Sequence, residues 1–393
     1  MAGLRLSGLP ASRRKGRRHV CPSPATPSLA VIGFLETASG LGAAGRGMCH
    51  VLADRGPLPV SISALSRTAR VPSQSRPSEM TDAGSMPGHE VAIHVHNPDV
   101  FLAAVRRYGT RFLRANSLNI AVVNWETDCL PPRWADVLSL YDVLCAPSLF
   151  TARAVERATR RSVSVVPIFV PVKPPRVRVR GDSVYEFLCM FDFRSDFERK
   201  NPLAAVRAFR AAVRSLPQGS RCRLRIKCHT GTPSAIVARL RQECGPDPIE
   251  ILDETLSESQ MALLWQDCDC LVSLHRSEGF GLPVAEALAR SIPVITTRQG
   301  GVLDFVDDSG CFFVDGPAAK RPYSGSDYAE WSGWVEPNMA AAAAHMVAVV
   351  RRYDEAATRG QRGRERLIET TSADVVRAAI EQAIASAGGP CRP

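Results

Sequence analysis

The sequence predicts an α/β protein made of two Rossmann-like domains whose parallel sheets face a central cleft. Three observations support this prediction. Apolar strand-like runs alternate with helical stretches in both halves of the chain, which is typical of doubly wound parallel sheets. A segment with four prolines, Pro167–Arg180, separates the two alternating sets and indicates a linker. The length of 393 residues also suits two domains of roughly 100–200 residues each.

The first half contains five predicted strands and two predicted helices. A glycine-rich turn that opens a further helix follows the first strand, over residues 36–47. Residues 61–88 are rich in Ser, Pro, Arg and Gly without a period, which indicates a long surface loop. The strands are Leu29–Phe34, Val91–Val95, Ile120–Asn124, Val143–Ala146 and Val163–Val166, and the helices are Val100–Tyr108 and Ala152–Ala158.

The second half repeats the alternation and ends in helices. The predicted strands are Phe187–Phe191, Arg223–Cys228, Ile249–Leu252, Cys270–Leu274, Val294–Thr296 and Cys311–Val314. The predicted helices are Pro202–Val213, Ser234–Cys244, Ser257–Gln266, Pro283–Arg290, Met339–Tyr353 and Ser372–Ala385. We therefore expect a basic disordered tail over 1–27, an N-terminal domain over 28–170, a C-terminal domain over 171–365, and a final helix and tail over 366–393.

The net charge of +10 is concentrated at the start of the chain. No acidic residue precedes Glu36, so the tail alone contributes six of the ten excess charges. This placement argues against a folded nucleic-acid-binding surface, and we expect a solvated tail. The alternative is contact with anionic lipid headgroups or nucleic acid. The six basic residues are Arg5, Arg13, Arg14, Lys15, Arg17 and Arg18.

Composition also favours a cytoplasmic protein. No apolar run approaches the roughly 18 residues of a spanning helix, and no apolar core of signal-peptide length follows the early arginines. The twelve cysteines form no C-x-x-C pair, which fits a reducing compartment. We expect any membrane contact to be peripheral, at the inner membrane face.

The strongest local pattern is the string from Leu274 to Leu288, LHRSEGFGLPVAEAL. It follows an apolar strand, and Pro283 suits the first turn of a helix. Gly279 and Gly281 allow close backbone approach, and the free amides at a helix start favour an anion such as a diphosphate. Glu278 and Glu286 flank this turn, and each carboxylate can accept two hydroxyl hydrogen bonds. The alternative is an ordinary glycine turn whose acids complement the helix dipole.

This string resembles glycosyltransferase family 4, the retaining enzymes with the GT-B fold. The E-x7-E pattern of that family is met by Glu278 and Glu286. The variant found here looks most like the branch that assembles polysaccharides and O-antigens. The resemblance extends over roughly residues 28–350. It includes Gly33–Gly42, Asn124–Glu126, Ala146–Phe150, Phe191–Pro202 and Trp334–Pro337.

The resemblance implies roles for the C-domain residues. Glu278 would contact the hydroxyls of the transferred sugar, and Glu286 would bind the nucleotide ribose. Lys200 would neutralise the diphosphate leaving group, with either Arg194 or Arg199 as its partner. A solvated helix start is the alternative interpretation of Arg199 and Lys200. The backbone expected to hold the sugar and the distal phosphate is that of Gly279, Phe280, Gly281 and Leu282.

In the first half, two segments are similar to donor-contacting parts of the family. Gly40 and Gly42 precede a helix and would let the backbone approach the donor. His96 ends a strand and resembles the histidine that contacts the donor sugar in phosphatidylinositol mannosyltransferases, although a structural histidine is the alternative. The catalytic candidates are therefore Glu278, Lys200 and His96, and Asn124–Glu126 lie on the acceptor side.

Taken together, the resemblance implies retaining transfer of a sugar from a GDP- or UDP-sugar to a glycan or lipid-linked acceptor. Mannose from GDP-mannose is the first candidate, ahead of UDP-glucose. No Asp-x-Asp cluster lies in the expected loop, so we predict a reaction without metal or other cofactor, and no nucleic-acid partner. The alternatives are another GT-B enzyme, such as an epimerase or a phosphorylase, and a non-catalytic nucleotide-sugar-binding protein.

Overall fold

The computed structural model describes residues 28–62, 81–82, 88–97, 100, 103–104, 107, 111–176, 184–229, 235–319 and 333–387. Two parallel sheets with helices packed on them form two α/β domains, which confirms the predicted fold class. The basic tail, most of the predicted 61–88 loop and most of the predicted helix at 100–108 lie outside the described residues. No helix in the described part of the chain is long and apolar enough to cross a membrane.

The N domain contains a seven-stranded sheet of order β3-β2-β1-β4-β5-β6-β7. Its four central strands, β1, β4, β5 and β6, are buried at every position, as expected for strands covered on both faces. The strands are β1 Leu29–Gly33, β2 Leu58–Ser61, β3 Thr81–Asp82, β4 Val91–Val95, β5 Leu118–Val122, β6 Val143–Ala146 and β7 Val163–Val165. The helices are α1 Gly40–Val51, α2 Arg111–Arg114, α3 Pro132–Leu138 and α4 Leu149–Thr159.

The C domain contains a six-stranded sheet of order β10-β9-β8-β11-β12-β13, again with every pairing parallel. The strands are β8 Val184–Met190, β9 Arg221–Cys228, β10 Ile249–Asp253, β11 Cys270–Ser273, β12 Val294–Thr297 and β13 Phe312–Val314. The helices are α5 Phe197–Lys200, α6 Pro202–Ser215, α7 Ala235–Cys244, α8 Glu258–Asp267, α9 Leu282–Leu288, α10 Met339–Arg351, α11 Tyr353–Thr371 and α12 Ala373–Ser386. In this order β11 lies between β8 and β12, near the middle of the sheet.

The last helix returns to the N domain. Val376 and Ile380 of α12 are buried, and the helix packs against α1, β6 and β7. Arg377 donates hydrogen bonds to the carboxylate of Asp54 at 2.8 Å and to the carbonyl of Val51 at 3.0 Å. The chain therefore connects the two domains both through the linker after β7 and through this C-terminal helix.

The described part of the linker is fixed to the C-terminal end of α9. The amides of Lys173 and Arg176 donate to the carbonyls of Ala289 and Arg290, at 3.2 and 2.6 Å. The Arg176 guanidinium also pairs with Asp269 at 2.9 Å, and both side chains are nearly inaccessible to solvent. These contacts position α9, and the loop before it, relative to the N domain.

Candidate active site

The 274–281 loop joins β11 to α9 at the C-terminal edge of the C-domain sheet and contacts the N domain. The Ser277 hydroxyl donates a hydrogen bond to the carbonyl of Glu126, which follows β5 in the other domain. A Cβ atom at Gly279 would lie 2.4 Å from the carbonyl oxygen of Trp125. Only a glycine fits so close to this carbonyl oxygen. The two contacts show that the loop lies between the two domains, where the sequence predicts the ligand site.

The peptide groups of this loop are oriented by their carbonyl oxygens. The carbonyl of Ser277 accepts from Arg199 at 3.0 Å, that of Glu278 accepts from the amide of Gly301 at 2.9 Å, and that of Gly279 accepts from the Ser148 hydroxyl. No amide between Ser277 and Leu282 donates a hydrogen bond to a described residue. A run of unpaired amides is suited to binding an anion.

Helix α9 begins at Leu282, one residue before the predicted Pro283, and has only seven residues. A helix this short sums few peptide dipoles, which limits the helix dipole at this point. Gly281 adopts a φ of +96°, and a Cβ there would lie 2.5 Å from Val302. The turn therefore requires glycine at this position for both its backbone conformation and its packing.

Glu278 is held as a carboxylate by two cations. Its Oε2 atom is paired with the ammonium of Lys200 and lies 3.4 Å from the guanidinium of Arg199. Burial raises the pKa of the Glu278 carboxyl, but Lys200, Arg199 and His275 outweigh this effect and lower it to about 2. Glu278 is therefore charged at neutral pH, with 12% of its side chain exposed.

Arg199 lies beneath the loop and also reaches the N domain. It is 1% exposed, and its guanidinium donates to the carbonyls of Ser277 and Ser195 and lies 3.8 Å from Glu126. Lys200, by contrast, is partly open to the cleft. The side chain of Arg194 lies outside the described part of the structure. The identity of the arginine that accompanies Lys200 at a diphosphate stays a prediction. The described contacts of Arg199 hold the loop in place.

Glu286 lies one turn into α9 and is partly exposed. Burial raises the pKa of its carboxyl, and this effect is opposed by the charges of Arg290, Lys227 and Lys173. A partly exposed carboxylate near several cations can accept hydrogen bonds from a diol. Its contact with a ribose stays a prediction.

The N-domain candidates lie at the facing edge. His96 follows β4 and is buried, with Nδ1 3.1 Å from the carbonyl of Asn97 and no described partner for Nε2. Burial lowers the pKa of its imidazole to about 4, so the ring is neutral near pH 7. A Cβ atom at Gly40 would lie 3.2 Å from Leu282, so this glycine faces the start of α9. Gly42 packs instead against the backbone of Thr37 within its own turn.

Two buried hydroxyl residues of the N domain complete the contact with the loop. Ser148 caps α4, because its Oγ accepts the amide of Thr151 at 3.1 Å. The same hydroxyl donates to the carbonyl of Gly279, and the Thr151 hydroxyl donates to the carbonyl of Trp125 at 2.8 Å. Sequence reasoning did not single out either residue, although a serine before a helix is the usual N-cap signal.

Two residues of the Leu274–Leu288 string, for which the sequence predicts no role, fix the start of the loop. His275 is buried with Nε2 3.0 Å from the carbonyl of Gln299, so Nε2 carries the proton and Nδ1 accepts from Ser273. Arg276 forms two hydrogen bonds with the Glu336 carboxylate and donates to the carbonyl of Glu198. These contacts join the segment at 333–336 and α5 to the loop.

Comparisons with known proteins agree with this architecture. The model of a family described as Family 4 Glycosyltransferase in conflict systems matches residues 148–378, which is more than half of the chain. The comparison with curated protein sequences finds no match.

Solved structures are similar over nearly the whole chain. HepE of Anabaena, in complex with UDP and glucose, has a TM-score of 0.63 at 12% identity, covering 92% of this chain and 100% of its own. A glycosyltransferase from Rickettsia africae has a TM-score of 0.61 at 13% identity, covering 91% and 98%. The lipopolysaccharide outer core galactosyltransferase WaaB, in its apo form, has a TM-score of 0.57 at 13% identity, covering 91% and 99%. At these identities the likeness shows the shared fold.

Proposed function

The chain belongs to the family described as Family 4 Glycosyltransferase in conflict systems, and from this premise we propose that it transfers a sugar from a nucleotide-diphosphate sugar to an acceptor hydroxyl with retention at the anomeric carbon. The observation that supports this most is the Lys200–Glu278 ion pair beside the unpaired amides of the 274–281 loop. That arrangement offers a cation and amides to a diphosphate, and a carboxylate to sugar hydroxyls.

Two nucleotide sugars are candidates for the donor. The sequence resemblance favours mannose from GDP-mannose. HepE was solved with UDP-glucose as well as with UDP and glucose, and the pneumococcal O-GlcNAc transferase GtfA was solved with UDP and GlcNAc. These complexes support a nucleotide-sugar donor in general and make UDP-glucose the second candidate. The proposed acceptor is a glycan or a lipid-linked oligosaccharide, reached with at most peripheral membrane contact.

Donor binding would separate the Lys200–Glu278 pair. The Lys200 ammonium would turn to the diphosphate, because two phosphate charges attract it more strongly than one carboxylate. Glu278 would accept hydroxyls of the transferred sugar while Arg199, 3.4 Å away, still balances its charge. Each ionic group thus keeps a partner of opposite charge in both states, which avoids an unpaired buried charge.

The transfer step breaks the bond between the anomeric carbon and the phosphate oxygen and forms a bond to the acceptor oxygen. In a front-face reaction the acceptor proton passes to a phosphate oxygen of the departing nucleotide. Negative charge grows on that phosphate, so Lys200 and the loop amides would stabilise the transition state more than the ground state. His96 is neutral and carries its proton on Nδ1, which faces the Asn97 carbonyl, so its Nε2 would accept a hydrogen bond from a sugar hydroxyl.

We propose that turnover needs no divalent cation. The Asp-x-Asp string at Asp267 and Asp269 precedes β11, whereas the 274–281 loop follows it. Within that string Asp267 pairs with Arg225, and Asp269 pairs with Arg176. Turnover that persists in the presence of a chelator is expected, and turnover that depends strictly on added Mg²⁺ or Mn²⁺ would contradict this part of the proposal.

The test is a turnover panel with GDP-mannose, UDP-glucose and other nucleotide sugars, with and without lipid-linked and glycan acceptors. We expect transfer to depend on an acceptor and to fall strongly in Glu278→Ala and Lys200→Ala. Donor conversion without an acceptor would indicate an epimerase. Release of a sugar 1-phosphate from the glycan by inorganic phosphate, without any nucleotide sugar, would indicate a phosphorylase. Absence of binding to every nucleotide sugar would support a non-catalytic protein and overturn the proposal.

A further inference from the structure

We propose that Ser148, together with Thr151, is a positioning residue through which the N domain sets the orientation of the anion-binding amides in the 274–281 loop. This inference rests on the proposed function and assigns part of the donor site to a helix cap of the opposite domain. Neither residue needs to touch the donor, since Ser148 acts through the carbonyl of Gly279 and Thr151 through that of Trp125.

The first step concerns peptide geometry. The described peptide bonds include no cis bond, so the C=O and N–H of each peptide point in opposite directions. Fixing the carbonyls of Ser277, Glu278 and Gly279 therefore also fixes the directions of the three following amides. Arg199 and Gly301, which hold the first two carbonyls, belong to the C domain. Ser148 holds the third from the N domain.

The second step assigns the protons of the two hydroxyls. The Thr151 hydroxyl lies 2.8 Å from the carbonyl of Trp125 and 3.4 Å from that of Gly279, so its single proton is directed to Trp125. Ser148 Oγ accepts the Thr151 amide, and its own proton is directed to the Gly279 carbonyl at 2.5 Å, which is closer than the Thr151 hydroxyl at 3.2 Å. Thr151 thus fixes the strand end that borders the loop, and Ser148 fixes the loop itself.

The third step is that the contact of Ser148 and Thr151 with the loop is close-packed and excludes water. Both hydroxyl residues are 0% exposed, so water cannot replace a lost hydrogen bond to the Gly279 carbonyl. A Cβ atom at Gly301 would lie 2.1 Å from that carbonyl oxygen and 2.8 Å from Ser148 Cβ. A side chain at position 301 would therefore displace the Gly279–Phe280 peptide. Because its carbonyl is held by Ser148, the Phe280 amide is directed away from α4.

The experiment compares Ser148→Gly with Ser148→Thr and with Asn338→Ala. Glycine removes the hydroxyl but remains a tolerable N-cap, costing the helix only about a few tenths of a kcal/mol. Threonine keeps both the cap and the donor. Asn338 caps α10 by accepting the amides of Ala340 and Ala341, so Asn338→Ala controls for the general effect of a lost cap. Titration calorimetry measures binding of UDP-glucose and GDP-mannose, and of uridine and guanosine without phosphate.

For the nucleotide sugar that the wild type binds, we expect Ser148→Gly to weaken affinity about tenfold, as for the loss of one hydrogen bond from an amide to a charged phosphate. Binding of the matching nucleoside is expected to stay unchanged, and Ser148→Thr and Asn338→Ala are expected to bind like the wild type. Unchanged nucleotide-sugar affinity in Ser148→Gly, or equal weakening of nucleoside and nucleotide sugar, would overturn the inference. A wild type that binds neither nucleotide sugar would instead overturn the proposed function.

Discussion

The ammonium of Lys200 and the carboxylate of Glu278 form an ion pair although 78 residues separate them in the chain. Lys200 ends the short helix α5, and Glu278 lies in the loop that follows β11, so the parallel sheet brings both to one edge. Each side chain remains partly exposed. The two charges thus balance each other when no ligand is bound, and both side chains remain accessible to a ligand. This leads to the first prediction.

Replacing Lys200 by alanine is expected to lower kcat for sugar transfer by about 10²–10³, because a cation directed at the departing phosphate is lost. The folded state should persist, since Arg199 still lies near Glu278. The measurement is steady-state kinetics with the donor identified in the panel. Arg207→Ala is the matched control, because it removes one positive charge from an exposed pair with Glu243 on the C domain. Equal activity of the two variants would refute the role of Lys200.

The lowered pKa of Glu278 predicts a pH-dependent contribution to stability. Its carboxyl titrates near 2 in the folded state, below the ordinary value of 4.5, so the stabilisation is complete above about 4.5 and is lost as the pH falls towards 2. Denaturant unfolding of wild type and Glu278→Gln at a series of pH values measures it. We expect the wild type to have a higher free energy of unfolding than Glu278→Gln above pH 4.5, and this difference to shrink as the pH falls towards 2. A difference that stays constant with pH would mean that the ion pair does not shift this carboxyl.

Two glycines with nearly equal positive φ angles allow a test of the loop packing. Gly300 has a φ of +86°, and a Cβ there would lie 2.0 Å from the carbonyl oxygen of Glu278. Gly219 has a φ of +89° with open space around it. Alanine at either position costs roughly 1–3 kcal/mol, because its side chain rarely adopts a positive φ. Gly300→Ala also displaces the loop. This displacement lowers the free energy of unfolding by about 1–3 kcal/mol more and should abolish donor binding.

Thermal unfolding and donor titration of Gly300→Ala and Gly219→Ala distinguish these effects. Gly219→Ala is expected to lose stability but to bind donor normally. If both variants bind donor like the wild type, then the approach of Gly300 to Glu278 has no part in shaping the site.

The C-terminal helix is expected to contribute to the stability of the N domain. Ile380 of α12 is 2% exposed, so Ile380→Ala should lower the free energy of unfolding by about 2–5 kcal/mol. Ile368→Ala is the control, because that isoleucine is 37% exposed and its loss should change stability by at most about 0.5 kcal/mol. Chemical denaturation of both variants provides the comparison. Similar effects in the two variants would contradict the packing of α12 on the N domain.

The alternation of strands and helices was readable from sequence because buried parallel strands are continuous apolar runs. The elements that were missed have identifiable causes. Strand β2 contains Pro59, a residue that argues against a strand, and β3 has only two residues. Helix α11 is polar and contains Gly360 and Gly363. Glycine has a low helix propensity, so the sequence did not predict this helix. In the structure, Cβ atoms at these two positions would meet neighbouring carbonyl oxygens at 2.4 and 2.6 Å, so the glycines allow close packing of the helix.

The site was only partly readable from sequence. Glu278 and Lys200 were recognisable from local strings, and the structure brings them into contact. The role of Ser148 depends on a partner 131 residues away, and no local pattern indicates a contact between domains. Arg199 was one of two candidates for the partner of Lys200, and its burial depends on how α5 packs beneath the loop. Long-range packing of this kind requires the folded structure.

Amide hydrogen exchange of the 274–281 loop tests the central claim most directly. The amides between Ser277 and Leu282, which donate to no described residue, are expected to become more strongly protected when the nucleotide sugar that supports turnover is added. The exposed turn at 216–220 should exchange at the same rate in both states. Unchanged exchange in the loop under saturating donor, or protection confined to other segments, would contradict the claim that these amides hold the sugar-linked diphosphate.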